Sequence, residues 1–126
     1  MNAPIMQLEE ERQRIALACE ALIRDVLKPR FLPEIRPNNM AYAIDIRGGW
    51  RSGRYRFVTR MRSAWPETAG EEYDEPYARL DWMGPDNFDL QWMRHTGQWW
   101  RLHRGLTLEA ALDRLITDGH LHPRIL

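Results

Sequence analysis

Cysteine is almost missing: Cys19 is the single one in 126 residues. No intrachain disulfide and no multi-thiolate metal site can form within one such chain. Lysine is as scarce, with Lys28 alone beside seventeen arginines. A GC-rich genome produces that bias, and arginine also suits planar ion pairs, so the ratio by itself assigns no function. Long apolar runs are absent. The longest, such as Ile15-Ala16-Leu17-Ala18-Cys19, reach about five residues, far short of the ~20 that a membrane-spanning helix needs. Net charge is missing too, since eighteen basic residues face eighteen acidic ones. That balance excludes the whole-protein basic field that drives nucleic-acid or membrane binding.

The N-terminal stretch carries Glu9-Glu10-Glu11 where a secretory signal would carry basic and then apolar residues. A bacterial cytoplasm is therefore the expected address. No phosphate-binding glycine loop, dinucleotide fingerprint, nucleophile elbow or zinc-protease helix motif occurs, and nothing calls for a cofactor.

What remains is an ordinary globular composition, 44% hydrophobic and 29% charged. The length suits one domain over residues 1–126, burying roughly two-thirds of the unfolded chain's surface on folding. Ile5, Leu8, Ile15, Cys19, Leu22 and Val26 recur at three-, four- and seven-residue spacing and define a helix over 1–28. Asn2 and Pro4 open it, the glutamates suit its positive end, and Pro29 ends it at about Lys28. Cys19 falls on the apolar stripe and reads as a core thiol. Prolines at 29, 33 and 37 make residues 29–39 an extended connector.

From Met40 the period is two, and residues 40–104 read as an antiparallel sheet. Tyr42, Ile44 and Ile46 mark a first strand, with Gly48-Gly49 and Ser52-Gly53 as turn residues. Arg54 to Ala64 is a second strand, and Pro66 to Glu75 an acidic loop. Tyr77 to Met83, Phe88 to His95 and Gln98 to Arg104 follow, the last two joined by a two-residue turn at Thr96-Gly97. Thr107 caps a final helix over 107–118, with Leu108, Ala111, Leu112 and Leu115 facing inward, and residues 119–126 form a tail. The expected class is α+β: two helices packed on one face of a five-stranded antiparallel meander.

Alternation sorts the strand residues into two faces. Tyr55, Phe57, Thr59, Met61, Ala78, Leu80, Trp82, Phe88, Leu90, Trp92, Trp100 and Leu102 fall toward the helices. The other face carries Arg54, Arg56, Arg60 and Arg62, then Tyr77, Arg79, Asp81, Asp89, Gln91, Trp99, Arg101 and His103. An open sheet face of arginines and aromatics is the pattern of a single-strand nucleic-acid binder, with Arg54, Arg56, Arg60, Arg62 and Arg101 on phosphates and Trp99 stacking. A blander account competes with it. Residues 47–62 hold six arginines and no acid, while residues 67–89 hold eight acids and only Arg79. A meander brings these blocks side by side, where cross-strand ion pairs contribute about 0.2–1 kcal/mol each. The expectation is a self-neutralised, mostly solvated face in which at least two of Arg54, Arg56, Arg60 and Arg62 pair with carboxylates from Glu71 to Asp89.

Metal chemistry has thin support. His120 and His122 form at most a two-ligand clip on a tail, while His95 and His103 flank a hairpin. Asp45, Asp81 and Asp89 would have to converge on one point to hold a divalent cation. The six tryptophans exceed what one small core readily absorbs. Since Trp and Arg are enriched at binding hot spots, they favour a non-enzymatic interaction module with a protein partner or a second copy of the chain. The alternative is single-stranded nucleic-acid binding through the arginine face.

Ile35-Arg36-Pro37, Tyr42 and Ile44, Pro76 and Ala78, Trp92-Met93-Arg94, Trp99 and His103 together resemble a bacterial domain family of unknown function. The resemblance spans roughly residues 9–104. It implies a short α+β domain with an Ile-Arg-Pro lead-in segment, a central meander and a Trp-rich C-terminal hairpin, and it brings no activity, substrate or cofactor. The arginine-dense segment Arg51 to Arg62 and the helix after Thr107 stand as departures from the family pattern.

Overall fold

A computed structural model describes residues 3–125. The Asn2 cap, the side chains of residues 3–5 and Leu126 lie outside the described residues. Helix α1 spans Ala3–Leu22, and a π-helical turn, Ile23–Leu27, leads directly into α2, Lys28–Phe31. The helical path thus runs on past Pro29, beyond the predicted stop at Lys28. In the π turn the Lys28 N–H reaches back five residues to the Ile23 carbonyl. That wider turn accommodates a proline at the start of the next segment, where its missing N–H does no harm. The extended connector accordingly starts only after Phe31.

Five strands follow: β1 Ala41–Arg51, β2 Arg54–Ser63, β3 Glu72–Gly84, β4 Asn87–Met93 and β5 Trp99–Leu106. They form one antiparallel sheet in sequence order. Helix α3, Leu108–Thr117, closes the fold, with the Thr107 side chain accepting from the Ala110 N–H as its cap. Five predicted details change. Gly48 and Gly49 lie inside β1, and the turn is Ser52-Gly53 alone, both residues at positive φ (52° and 75°) as a two-residue hairpin requires. Strand β3 begins at Glu72, inside the predicted acidic loop, because its acids pair with the arginines of β2. The second hairpin closes through the Arg94 N–H to the Gln98 carbonyl and the Gly97 N–H to the Arg94 carbonyl. That is a three-residue loop with Gly97 at φ 82°, not the two-residue turn expected. Tyr77 is an extra residue on β3, between the pairs Phe57↔Ala78 and Val58↔Pro76. This bulge breaks the alternation and turns Tyr77 into the core, 6.4 Å from Phe57, rather than onto the open face. Trp100, assigned to the covered face, is 55% exposed.

Both helices cover one sheet face. Ile15, Cys19, Leu22, Ile23 and Leu27 meet Leu108, Ala111 and Leu115 over Ile46, Tyr55, Phe57, Ala78, Leu80, Phe88 and Leu90. Each large side chain buried there contributes about 1.5–3 kcal/mol. Cys19 is buried, and burial pushes its thiol up to about 12, as a core thiol should be. Gly48 sits where a Cβ would lie 2.6 Å from the Tyr55 ring and 2.8 Å from Ile23 Cδ1. Its role is close packing. No described helix is long and apolar enough to cross a membrane.

Candidate functional site

The face away from the helices is built in cross-strand rows. Asp45, Arg60 and Asp74 are register partners across β1, β2 and β3, and Tyr42, Arg62 and Glu72 form the next row. Arg60 reaches Asp74 at 3.1 Å and Glu72 at 3.4 Å, while Arg62 reaches Glu72 at 3.2 Å. Two of the four β2 arginines therefore pair with carboxylates of the acid-rich segment, as the charge blocks predict. The Glu72 carboxyl is held below its usual range, first by the hydrogen bond from Arg62.

The middle of the face departs from expectation, because it is not solvated. Arg79, Asp81 and Asp89 are each under a tenth exposed. Arg79 grips Asp81 with both ends of its guanidinium, at 2.7 and 3.0 Å, and Gln91 donates to the same carboxylate at 2.7 Å. The Trp99 ring lies 4.9 Å from the Arg79 guanidinium. Asp89 takes the Gly105 N–H at 3.0 Å and Arg101 at 3.3 Å. Such groups tolerate burial because each charge meets an opposite one and its hydrogen bonds are made.

The structure thus brings Arg56, Arg79, Gln91 and Arg101 into one row across four strands, with Arg54, Asp81 and Asp89 in the next. Arg54 is exposed, and the buried Nε of Arg56 has no hydrogen-bond partner among the described residues. Trp99 and Arg101 are already engaged by Arg79 and Asp89. Asp45 is held by Lys28 and Arg47, both at 2.9 Å. With Asp81 and Asp89 likewise paired, the three aspartates do not gather on one point, and no group of three or more potential ligating side chains forms among the described residues.

Sequence reasoning missed a second region, at the far end of α3. Asp118 accepts from His103 Nε2 at 2.7 Å and from the N–H and Nδ1 of His120, both at 3.0 Å. Partial burial raises the Asp118 carboxyl, but these hydrogen bonds outweigh it and hold the group below its usual range. His122 turns elsewhere, its Nε2 2.7 Å from the Ile116 carbonyl and its ring 4.6 Å from Phe31. The two tail histidines are thus structural pins with different partners. Beside them lies a depression of about 790 Å³ lined by Trp92, Arg114, His120 and Arg124, among others. A second depression, bounded by Arg94, Trp100 and Leu102, shares Trp92 and His120 with it. The Arg94 guanidinium lies 5.1 Å from the Trp100 ring, and the Trp92 ring meets His120 edge-on at 5.1 Å. Only the Asp118-x-His120 spacing hinted at this region in the sequence. The contribution of His103, fifteen residues away, carries no local signal.

Comparison with known proteins finds one family. The model described as "Domain of unknown function (DUF3024)" matches residues 7–122. That span includes α3, so the C-terminal helix belongs to the family pattern and is not an addition to it. No curated protein and no solved structure matches.

Proposed function

The chain belongs to the DUF3024 family, a domain of unknown function, and from that premise we propose a non-enzymatic protein-interaction module. It acts as one folded unit in the bacterial cytoplasm, and its partner is another protein or a second copy of the chain. One observation carries this reading: none of the six tryptophans is buried. The core is filled by Tyr55, Phe57, Tyr77, Phe88 and mostly aliphatic side chains. Trp65 and Trp100 are half-exposed, and the other four are only partly covered. Trp50, Trp82 and Trp92 pack against the edge of the core, whereas Trp65, Trp99 and Trp100 lie off it, with arginines against Trp99 and Trp100. Exposed amphipathic rings beside arginines are the composition of a binding hot spot. Nucleic-acid binding through the arginine face is the less favoured reading. Arg60, Arg62 and Arg101 already hold carboxylates, and Trp99 lies against Arg79.

The test is site-specific photocrosslinking in cells, with a benzophenone amino acid at Trp100 and, as control, at Arg51 on the β1–β2 hairpin. The reading predicts a discrete protein adduct from position 100 and none from 51. A doubled mass identifies a second copy of the chain as that partner. Nucleic-acid adducts alone, or no adduct, overturn it.

A further inference from the structure

We propose that the groove between the end of α3 and the β4–β5 hairpin docks an acidic, extended peptide segment of a partner protein. This deepens the interaction-module reading and rests on it. Charge complementarity sets the ligand's sign. Arg94, Arg114 and Arg124 all border the groove, and none has a carboxylate partner among the described residues. In a chain of zero formal charge that is a local excess of cations. Asp118 on the groove wall, hydrogen-bonded to His103 and His120, keeps its negative charge and offsets one of the three cations, so positive charge stays in excess. Trp92 adds a partly covered ring to the lining of both depressions, edge-on to His120. Trp100 supplies an exposed apolar surface at the groove's other end.

Shape sets the ligand's class. Strand β5, which brings Trp100 and Leu102 to the groove's margin, pairs only with β4 among the described residues, so its other backbone edge is unpaired. An unpaired edge offers alternating N–H and C=O groups that a peptide backbone matches and a nucleic acid does not. A strand added there runs past Trp100, and its acidic side chains reach the arginines.

Tryptophan fluorescence of the full chain, titrated with a ten-residue peptide of alternating Glu and Thr, tests this. The expected result is saturable binding that weakens as salt rises. It falls at least tenfold in the double variant Arg114→Gln/Arg124→Gln and is unchanged in Arg60→Gln/Arg62→Gln on the opposite face. The same peptide with Lys for Glu does not bind. No saturable binding, equal binding by the groove variant, or tighter binding of a ten-nucleotide oligo(dT) overturns the proposal. Failure here together with a protein adduct from position 100 overturns only the acidic-peptide chemistry, whereas absence of that adduct removes the interaction reading itself.

Discussion

Asp81 and Asp89 stand directly opposite one another on β3 and β4, two carboxylates only 7% and 6% exposed. Like charges in that position destabilise a sheet unless each is answered. Arg79 and Gln91 answer Asp81, while Arg101 and the Gly105 N–H answer Asp89. The centre of the open face is therefore a buried polar network.

Removing its cation should be expensive. Arg79→Met strands a buried carboxylate beside a second one, and breaking a buried pair from one side costs about 3–5 kcal/mol. Chemical denaturation should show that loss. Arg62→Met, whose partner Glu72 lies at the exposed margin, should cost under about 1 kcal/mol. Equal effects would mean that the central pair is not the network's keystone.

The Asp118 carboxylate gives the fold an acid-side weakness. Its folded-state affinity for protons is depressed, so the unfolded chain takes up a proton first as pH falls. The stabilisation is fully present above the ordinary aspartate range, near pH 3.9, and is lost as pH drops toward the lower folded value. Asp118→Asn should be less stable at neutral pH and show a shallower decline between about pH 5 and 3. An unaltered acid limb in stability measured against pH would contradict the assignment.

Gly48 is required by contact rather than by conformation. Gly48→Ala places a methyl within 2.6 Å of Tyr55 and 2.8 Å of Ile23. Overpacking of this kind costs about 1–3 kcal/mol. Gly49, whose added Cβ meets nothing within 4 Å, should accept alanine with little change in melting temperature.

Much of the fold was legible because the two periods are clean. Alternation from Met40 onward and the leucines after Thr107 suffice to place the meander and its last helix. The breaks in period were not legible. The Tyr77 bulge, the π turn before Pro29 and the packing role of Gly48 each depend on what a distant element places against them. The open face was half legible. Charge blocks in sequence imply ion pairs, but Arg79 is covered by Trp99, which arrives from β5, and Asp81 is engaged by Gln91 from β4. The groove at the end of α3 was out of reach. Its arginines come from the β4–β5 hairpin loop, α3 and the tail, and no sequence spacing relates them.

The central claim is that the tryptophans outside the core serve binding, and the free energy of unfolding of Trp100→Ala tests it most directly. The account predicts a change within about 0.5 kcal/mol of the unsubstituted chain, as for a surface position. A loss of about 3 kcal/mol or more, the cost of emptying a core aromatic site, would make Trp100 a structural residue and contradict the claim.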